Sequence, residues 1–170
     1  DDFTKHAWAY RQISLLLDRA PGRDAYPGDI FYIHSQLVER AGKLKAERGG
    51  GSMTHLPIVE TLQGDVAGYI PSNIISMTDG QVYMSAALFA EGFKPAIDMG
   101  LSVSRIGNKV QWPAIRGLTK ALSLEYVRYK ELERLTRIKA GVSADVERRL
   151  KSGKVLEELL KKDPNKPVEM

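Results

Sequence analysis

The sequence has 170 residues, of which 43% are hydrophobic, 27% are charged and none is cysteine, and its formal net charge is +4. This length and composition are typical of a soluble globular chain with one ordinary core, or a core with a smaller satellite. The lack of cysteine excludes disulfides, thiolate metal sites and cysteine nucleophiles, and no apolar run approaches the roughly 20 residues that a membrane helix needs.

The N-terminal part is predicted to begin as helix, loop and helix. Residues 4–19 carry apolar side chains at spacings of three and four, and Pro21-Gly22 stops this pattern. Residues 21–29 are rich in turn formers, which predicts a structured loop. A second helical pattern then runs over residues 30–44.

The middle of the chain is predicted to contribute strands. After three consecutive glycines at 49–51, residues 53–61 are largely apolar, as in a strand buried on both faces. Two apolar runs at 74–77 and 81–84 flank Asp79-Gly80, which indicates a β-hairpin. A helix followed by a buried strand predicts an α/β sheet.

The character of the sequence changes near residues 107–112. Pro113 suits a first helical turn, and a long apolar stripe follows it, so we predict a helix that ends at Gly141. Ser143 can cap a following helix, and Pro164 would stop it. The last third of the chain is therefore predicted to be all helical.

The charge also changes at this point. Residues 1–110 carry 11 basic and 12 acidic side chains, whereas residues 111–170 carry 14 and 9. A basic region can bind nucleic acid, but here acidic residues are interleaved at helical spacing, which favours an ordinary solvated surface. We therefore predict two domains, 1–110 and 111–170, and no nucleic-acid partner.

Residues with recognisable chemistry are few when they are considered alone. His6, His34 and His55 are not spaced like metal ligands, and the common nucleotide-binding, hydrolase and metalloprotease motifs are absent. We interpret the histidines as structural. The Asp1-Asp2 pair has no clear meaning without a wider context.

A series of strings supplies that context, since together they resemble the F-type ATP synthase alpha subunits. The resemblance is specific over residues 1–107 and becomes weaker as far as about residue 162. The strings are residues 1–12 (DDFTKHAWAYRQ), 21–29 (PGRDAYPGD), 49–52 (GGGS), 56–61 (LPIVET), 64–66 (GDV), 69–73 (YIPSN), 75–81 (ISMTDGQ) and 100–107 (GLSVSRIG).

The resemblance implies the C-terminal part of a RecA-like P-loop nucleotide-binding domain, an α/β fold, followed by an all-helical domain. It implies a regulatory, non-catalytic subunit that alternates with beta subunits in a hetero-hexamer around the central stalk gamma subunit. The whole complex would couple ion movement to ATP synthesis or hydrolysis. It would be attached indirectly to a membrane sector, on the cytoplasmic face of the bacterial inner membrane or the equivalent organellar side.

The resemblance also assigns residues near phosphates. Asp1 corresponds to the Walker B carboxylate that orients Mg²⁺ through water, and Asp2 to its neighbour. Arg105 corresponds to an arginine finger that reaches the catalytic site of the neighbouring beta subunit. Ser76 corresponds to a serine near the subunit interface, although a strand serine bonded to backbone is equally plausible.

Four further residues match positions around the ATP or ADP of the non-catalytic site. Phe89 and Pro95 would form an apolar slot for adenine and ribose, and ordinary core packing is the alternative. Lys94 stands where the family commonly has arginine, and Lys162 where it commonly has glutamine. These two departures bear on nucleotide affinity and base selectivity.

The family's Walker A loop would lie before Asp1, and its helices continue beyond Met170, so we expect a fragment of a longer subunit. We expect the isolated chain to bind Mg-ATP weakly or not at all, to show no ATPase activity, and to self-associate through exposed edges and apolar faces.

Two other functions stay open at this stage. One is a non-enzymatic interaction module derived from this subunit, and the intact Arg105 argues for a fragment instead. The other is a RecA-like hexameric nucleic-acid translocase, which would bind RNA with a steep salt dependence. The long helix that begins at Pro113 favours the synthase.

Overall fold

The computed structural model describes residues 2–136, 143–161, 163 and 165–166. Within these residues the chain forms two units, Asp1–Asp79 and Gly80–Met170. The first unit contains helices α1 (Phe3–Leu16), α2 (Ile30–Val38) and α3 (Tyr69–Met77) and strands β1 (Gly42–Lys43) and β2 (Ser52–Met53). The second contains β3 (Gly80–Gln81), α4 (Ala86–Ala90), β4 (Val103–Ser104), α5 (Pro113–Thr136) and α6 (Ala144–Leu160).

Helix α1 begins where its sequence supplies a cap. The carboxylate of Asp2 accepts a hydrogen bond from the backbone N–H of Lys5 at 2.8 Å. The same carboxylate forms an ion pair with the amino group of Lys5, also at 2.8 Å. The helix ends at Leu16, three residues before the predicted end, because Asp18 adopts a left-handed conformation with φ of 52°. The predicted helix is therefore confirmed in place and shortened.

The core of the first unit lies between α1, α2 and α3. Its buried members are Ala7, Tyr26, Ile30, Ile70 and Ile74. Tyr26 comes from the turn-rich loop before α2, so the predicted structured loop is part of the core. Helix α2 stops at Val38, six residues before the predicted end, since Gly42–Lys43 pairs with Ser52–Met53 as a small antiparallel sheet.

The core of the second unit lies between the α4 region and the last two helices. Its buried members are Phe93, Ala96, Tyr126 and Tyr129. Helix α5 begins at Pro113, as predicted, and Ser143 occupies the N-cap position of α6. Gly141, where the sequence placed the end of the long helix, lies outside the described residues.

The predicted β-hairpin across Asp79-Gly80 is wrong. Its first arm lies inside α3 instead of a strand. Its second arm, residues 81–84, overlaps β3 (Gly80–Gln81), and β3 pairs with Val103–Ser104, more than twenty residues away along the chain. The chain does bend at residues 78–79, but the strand that follows the bend pairs with a segment that is distant in the sequence.

The strand predicted over residues 53–61 is also largely wrong. Only Ser52–Met53 is a strand, and Leu56 and Ile58 are exposed. This segment contacts the start of α1 instead, where the N–H of Phe3 donates to the carbonyl of Ile58 at 2.8 Å and the N–H of Glu60 to the Thr4 hydroxyl at 2.9 Å.

The predicted α/β composition is therefore confirmed only in part, because the described chain is mostly helical with two small two-stranded antiparallel sheets. The predicted domains 1–110 and 111–170 stay a prediction. Among the described residues no helix is long and apolar enough to cross a membrane.

Candidate functional site

The segment before Arg105 is fixed by a close strand pairing. In the β3–β4 sheet, Gly80 lies opposite Ser104, and Gln81 opposite Val103. A side chain at Gly80 would collide with the carbonyl oxygen of Val103, and the φ of Gly80 is 148°, which side chains disfavour. Only glycine allows this approach, so Gly80 sets the path of the strand that leads to Arg105.

Hydrogen bonds of two short side chains also fix the turn that precedes β4. The hydroxyl of Ser102 donates to the carbonyl of Asp98 at 2.6 Å and accepts from the N–H of Tyr83 at 3.0 Å. The carboxylate of Asp98 accepts from the N–H groups of Gly100 at 2.8 Å and Leu101 at 3.1 Å. The turn over residues 98–102 is therefore stabilised by bonds within it and by one bond from Tyr83.

Arg105 follows directly on this turn. The hydroxyl of Ser104 accepts a hydrogen bond from the N–H of Gly107 at 3.0 Å, which closes the chain around the arginine. The side chain of Arg105 is exposed. These hydrogen bonds fix the backbone from which the Arg105 side chain starts, and a planar guanidinium can pair with two phosphate oxygens.

Phe89, Lys94 and Pro95 form a second cluster, which we call the slot. Phe89 lies in α4 with 62% of its surface exposed, and the amino nitrogen of Lys94 lies 5.8 Å from the centre of its ring. Pro95 follows Lys94 in the chain and is also exposed. The structure therefore places Lys94 beside the Phe89 ring, with Pro95 next to Lys94 in the chain, and it does not bury Phe89 as a core residue.

The slot has the chemistry for one end of a nucleotide. An open aromatic face can stack on a purine, and a nearby ammonium attracts phosphate. The slot residues thus fit a base. The described residues do not include a group of three histidine or carboxylate side chains that could hold a metal ion.

Of the other three predicted site residues, the structure describes only Ser76. Ser76 lies on α3 in the first unit, where its hydroxyl donates to the carbonyl of Asn73 at 2.6 Å, so it bonds to helix backbone instead of strand backbone. Asp1 and Lys162 lie outside the described residues. The roles assigned to all seven site residues stay predictions.

One cluster was missed by the sequence analysis. The amino groups of Lys130 and Lys161 lie 5.4 Å and 5.1 Å from the centre of the ring of Phe93. Phe93 directly precedes Lys94 in the chain. Phe93 is 3% exposed. No local pattern links residues 93, 130 and 161, because they meet only when α5 and α6 have packed.

A histidine pair was missed as well. The Nδ1 atom of His6 lies 3.1 Å from the Nε2 atom of His34, and His34 is 0% exposed. Burial, and to a smaller extent the neighbouring His6, lower the pKa of His34 to about 4. The two side chains lie 28 positions apart in the sequence, on α1 and α2, so their spacing gave no signal.

Comparison with known proteins gives a family and close relatives. The family model described as the ATP synthase alpha/beta family, nucleotide-binding domain, matches residues 1–104. The chain is 52% identical over all 170 residues to the ATP synthase subunit alpha of Clostridium botulinum (strain Eklund 17B / Type B), and these residues cover 34% of that protein.

Other relatives agree with this. Over 168 residues, 99% of the chain, it is 51% identical to the ATP synthase subunit alpha of Clostridium acetobutylicum, of which it covers 33%. It is 49% identical over its full length to that of Wolbachia pipientis subsp. Culex pipiens, of which it also covers 33%. The chain therefore spans about a third of the length of these curated relatives, and the resemblance found in the sequence is confirmed.

Proposed function

The chain belongs to the ATP synthase alpha/beta family, nucleotide-binding domain, and from this we propose that it works as part of the alpha subunit of an F-type ATP synthase. In this proposal it belongs to a RecA-like nucleotide-binding domain and the helical domain after it. It alternates with beta subunits around a gamma subunit and is attached to the membrane sector on the cytoplasmic face or its organellar equivalent.

Within that complex we assign Arg105 as the residue that acts on catalysis. Its guanidinium would reach the phosphates held by the neighbouring beta subunit and stabilise the negative charge that spreads over the phosphoryl oxygens. The observation that supports this assignment is the turn before it, which Gly80, Ser102 and Asp98 hold in place while the Arg105 side chain is exposed. Ser76 would lie near an interface with the beta subunit.

The slot would serve the regulatory, non-catalytic nucleotide. Phe89 would stack on the base, Pro95 would line the ribose, and Lys94 would add a positive charge near the phosphates. Lys162 would lie by the base. Asp1 would orient the waters of Mg²⁺, which when bound neutralises phosphate charge.

The test grafts residues 1–170 into the matching region of the Clostridium acetobutylicum alpha subunit, which is 51% identical over 168 residues. The chimera is assembled with that organism's other subunits, and ATP hydrolysis is measured. Arg105→Ala should reduce the rate by about 10³-fold or more, and Arg105→Lys should not restore it, because an ammonium cannot reproduce the planar fork.

The control is Lys109→Ala, which removes a nearby exposed charge and should leave the rate within about twofold of the chimera. Beta-subunit nucleotide binding is measured in parallel, so that a loss of rate can be separated from a loss of substrate. An Arg105→Ala complex that hydrolyses ATP as fast as the chimera would reject the assignment.

A further inference from the structure

The loop that carries the slot is anchored at its base. The N–H of Ser85 donates to the carbonyl of Ala96 at 2.8 Å, and Met84 and Ile97 form an isolated bridge. Between these anchor points the chain makes α4 and then returns through Lys94 and Pro95. The base is therefore fixed, and Phe89 and Lys94 lie in the segment between its anchor points.

Phe93 is the buried part of that outer segment. Its N–H donates to the carbonyl of Leu88 at 3.0 Å, and its ring is 3% exposed. Lys130 on α5 and Lys161 at the end of α6 both place their amino groups over this ring, at 5.4 Å and 5.1 Å. We call these three residues the Phe93 clamp.

The two lysines are held in position by acidic partners. Lys130 pairs with Glu133 at 3.2 Å and with Glu157 at 3.3 Å, and Lys161 pairs with Glu157 at 3.7 Å and with Glu158 at 3.0 Å. Glu157 also accepts the hydroxyl of Tyr129 at 2.7 Å. One carboxylate thus ties both lysines to the α5–α6 pair.

The network keeps its charges at neutral pH. Burial by itself lowers the pKa of Lys130, but the hydrogen bond to Glu133 and the surrounding negative charge outweigh it and raise that pKa. Burial likewise favours a higher pKa for Glu157, and the bonds from Tyr129 and Lys130 lower it overall. The hydrogen bond to Glu158 raises the pKa of Lys161 as well, so both lysines stay cationic, as attraction to an aromatic face requires.

We propose that Lys130 and Lys161 are positioning residues for the nucleotide slot, acting through Phe93 to set the orientation of Lys94 and Pro95 against Phe89. This inference rests on the proposed function of the slot. It adds that the affinity of the slot for a nucleotide depends on α5 and α6, through two side chains that do not touch the ligand. The clamp also lets a bound nucleotide favour one arrangement of these helices, because such coupling is reciprocal.

The test places a reporter in the slot of the assembled chimera. Phe89→Trp puts an indole where the base would stack, and its fluorescence is read as the difference from the same complex with Phe89. Titration with Mg-ADP gives the affinity, and acrylamide quenching without nucleotide gives the exposure of Trp at position 89. The lysines are then changed together to methionine, which keeps the apolar stems and removes the charges.

The Lys130→Met, Lys161→Met complex should bind Mg-ADP roughly tenfold more weakly and show increased quenching without nucleotide. Lys130→Arg with Lys161 intact should bind as the reference does, because a guanidinium also stacks on rings. Phe93→Leu should weaken binding alone, yet add little to the double variant, since each change removes the contact between the ring of Phe93 and the lysine amino groups. Lys120→Met and Lys151→Met, at exposed positions of α5 and α6, are the matched controls and should change nothing.

Three results would overturn the inference. Equal affinity in the reference and double-methionine complexes would reject it while leaving the slot assignment intact. Additive effects of Phe93→Leu and the lysine changes would show that the lysines act elsewhere. No response of Trp at position 89 to Mg-ADP in the reference complex would remove the slot assignment and the inference with it, whereas the role of Arg105 would still be decided by hydrolysis.

Discussion

His34 shows how a single residue can set a pH limit on the first unit. Its pKa is lowered to about 4, chiefly by burial, whereas an unfolded chain has an imidazole pKa near its ordinary 6.5. As the pH falls, the unfolded state therefore takes up the proton first. The stability contribution of neutral His34 is complete above about pH 6.5 and is lost progressively down to about pH 4.

We predict that His34→Gln reduces this acid sensitivity. Between pH 7 and 4.5, the free energy of unfolding of the unsubstituted chain should fall by up to about 3 kcal/mol more than that of the variant. Urea unfolding is followed by the fluorescence of Trp8, which lies on α1, in a Trp112→Phe background. His55→Gln, which removes an imidazole outside the buried pair, is the control. Parallel pH curves for the unsubstituted chain and His34→Gln would contradict the prediction.

At this scale the sequence indicated residues that belong to contiguous motifs. Phe89, Lys94 and Pro95 lie in one short segment, and the structure places the amino group of Lys94 near the Phe89 ring. The residues that fix these sites are different, because Gly80 needs Val103 and Phe93 needs Lys130 and Lys161. Such contacts join distant parts of the chain, and no local pattern records them.

The same division holds for whole elements. Helices with strong local signals were predicted where they occur, as with the apolar spacing over residues 4–19 for α1 and Pro113 at the start of α5. The hairpin failed because the Asp79-Gly80 turn serves a pairing with β4 that local reasoning could not see. A two-residue strand also has too few ladder bonds for its sequence to specify its partner.

Helices α5 and α6 pack together at Gly153, so we predict that replacing this glycine by alanine destabilises the fold, the opposite of the usual effect in a helix. In a solvated helix Gly→Ala stabilises by about 0.5–1 kcal/mol, because alanine loses less conformational freedom on folding. A β-carbon at Gly153 would instead overlap the ring of Tyr129. We expect Gly153→Ala to destabilise the second unit by about 1–3 kcal/mol, measured by urea unfolding followed by circular dichroism at 222 nm.

Gly117 supplies the matched control, since it lies in α5 and a β-carbon there meets nothing within 4 Å. Gly117→Ala should therefore stabilise by the ordinary amount. Tyr129→Leu in the Gly153→Ala background should recover part of the loss if the ring is the obstacle. A stabilising Gly153→Ala would mean that the two helices do not pack through this glycine in solution.

For the whole molecule, ordered strings were more informative than composition. Composition indicated only a globular chain, whereas the strings over residues 1–107 indicated the family, which the match over residues 1–104 confirms. The boundary at residue 110 came from changes in charge and periodicity. The two compact units of the structure, Asp1–Asp79 and Gly80–Met170, reflect contacts within each unit. Such contacts need not follow changes in composition, so the predicted domain boundary stays a prediction.

Several large apolar side chains on the surface of the first unit lead to the last prediction, that the isolated 170-residue chain self-associates. Leu16, Leu56 and Leu62 are 84%, 82% and 76% exposed, and such side chains favour burial against another surface. Sedimentation velocity at concentrations from about 5 to about 100 μM should show oligomers. Sulfate should increase the oligomeric fraction, because it promotes apolar burial, whereas association through charges would weaken with salt. Leu16→Gln with Leu56→Gln should shift the chain towards monomer, and Lys43→Gln with Lys120→Gln should not. A monomer throughout this range would reject the prediction.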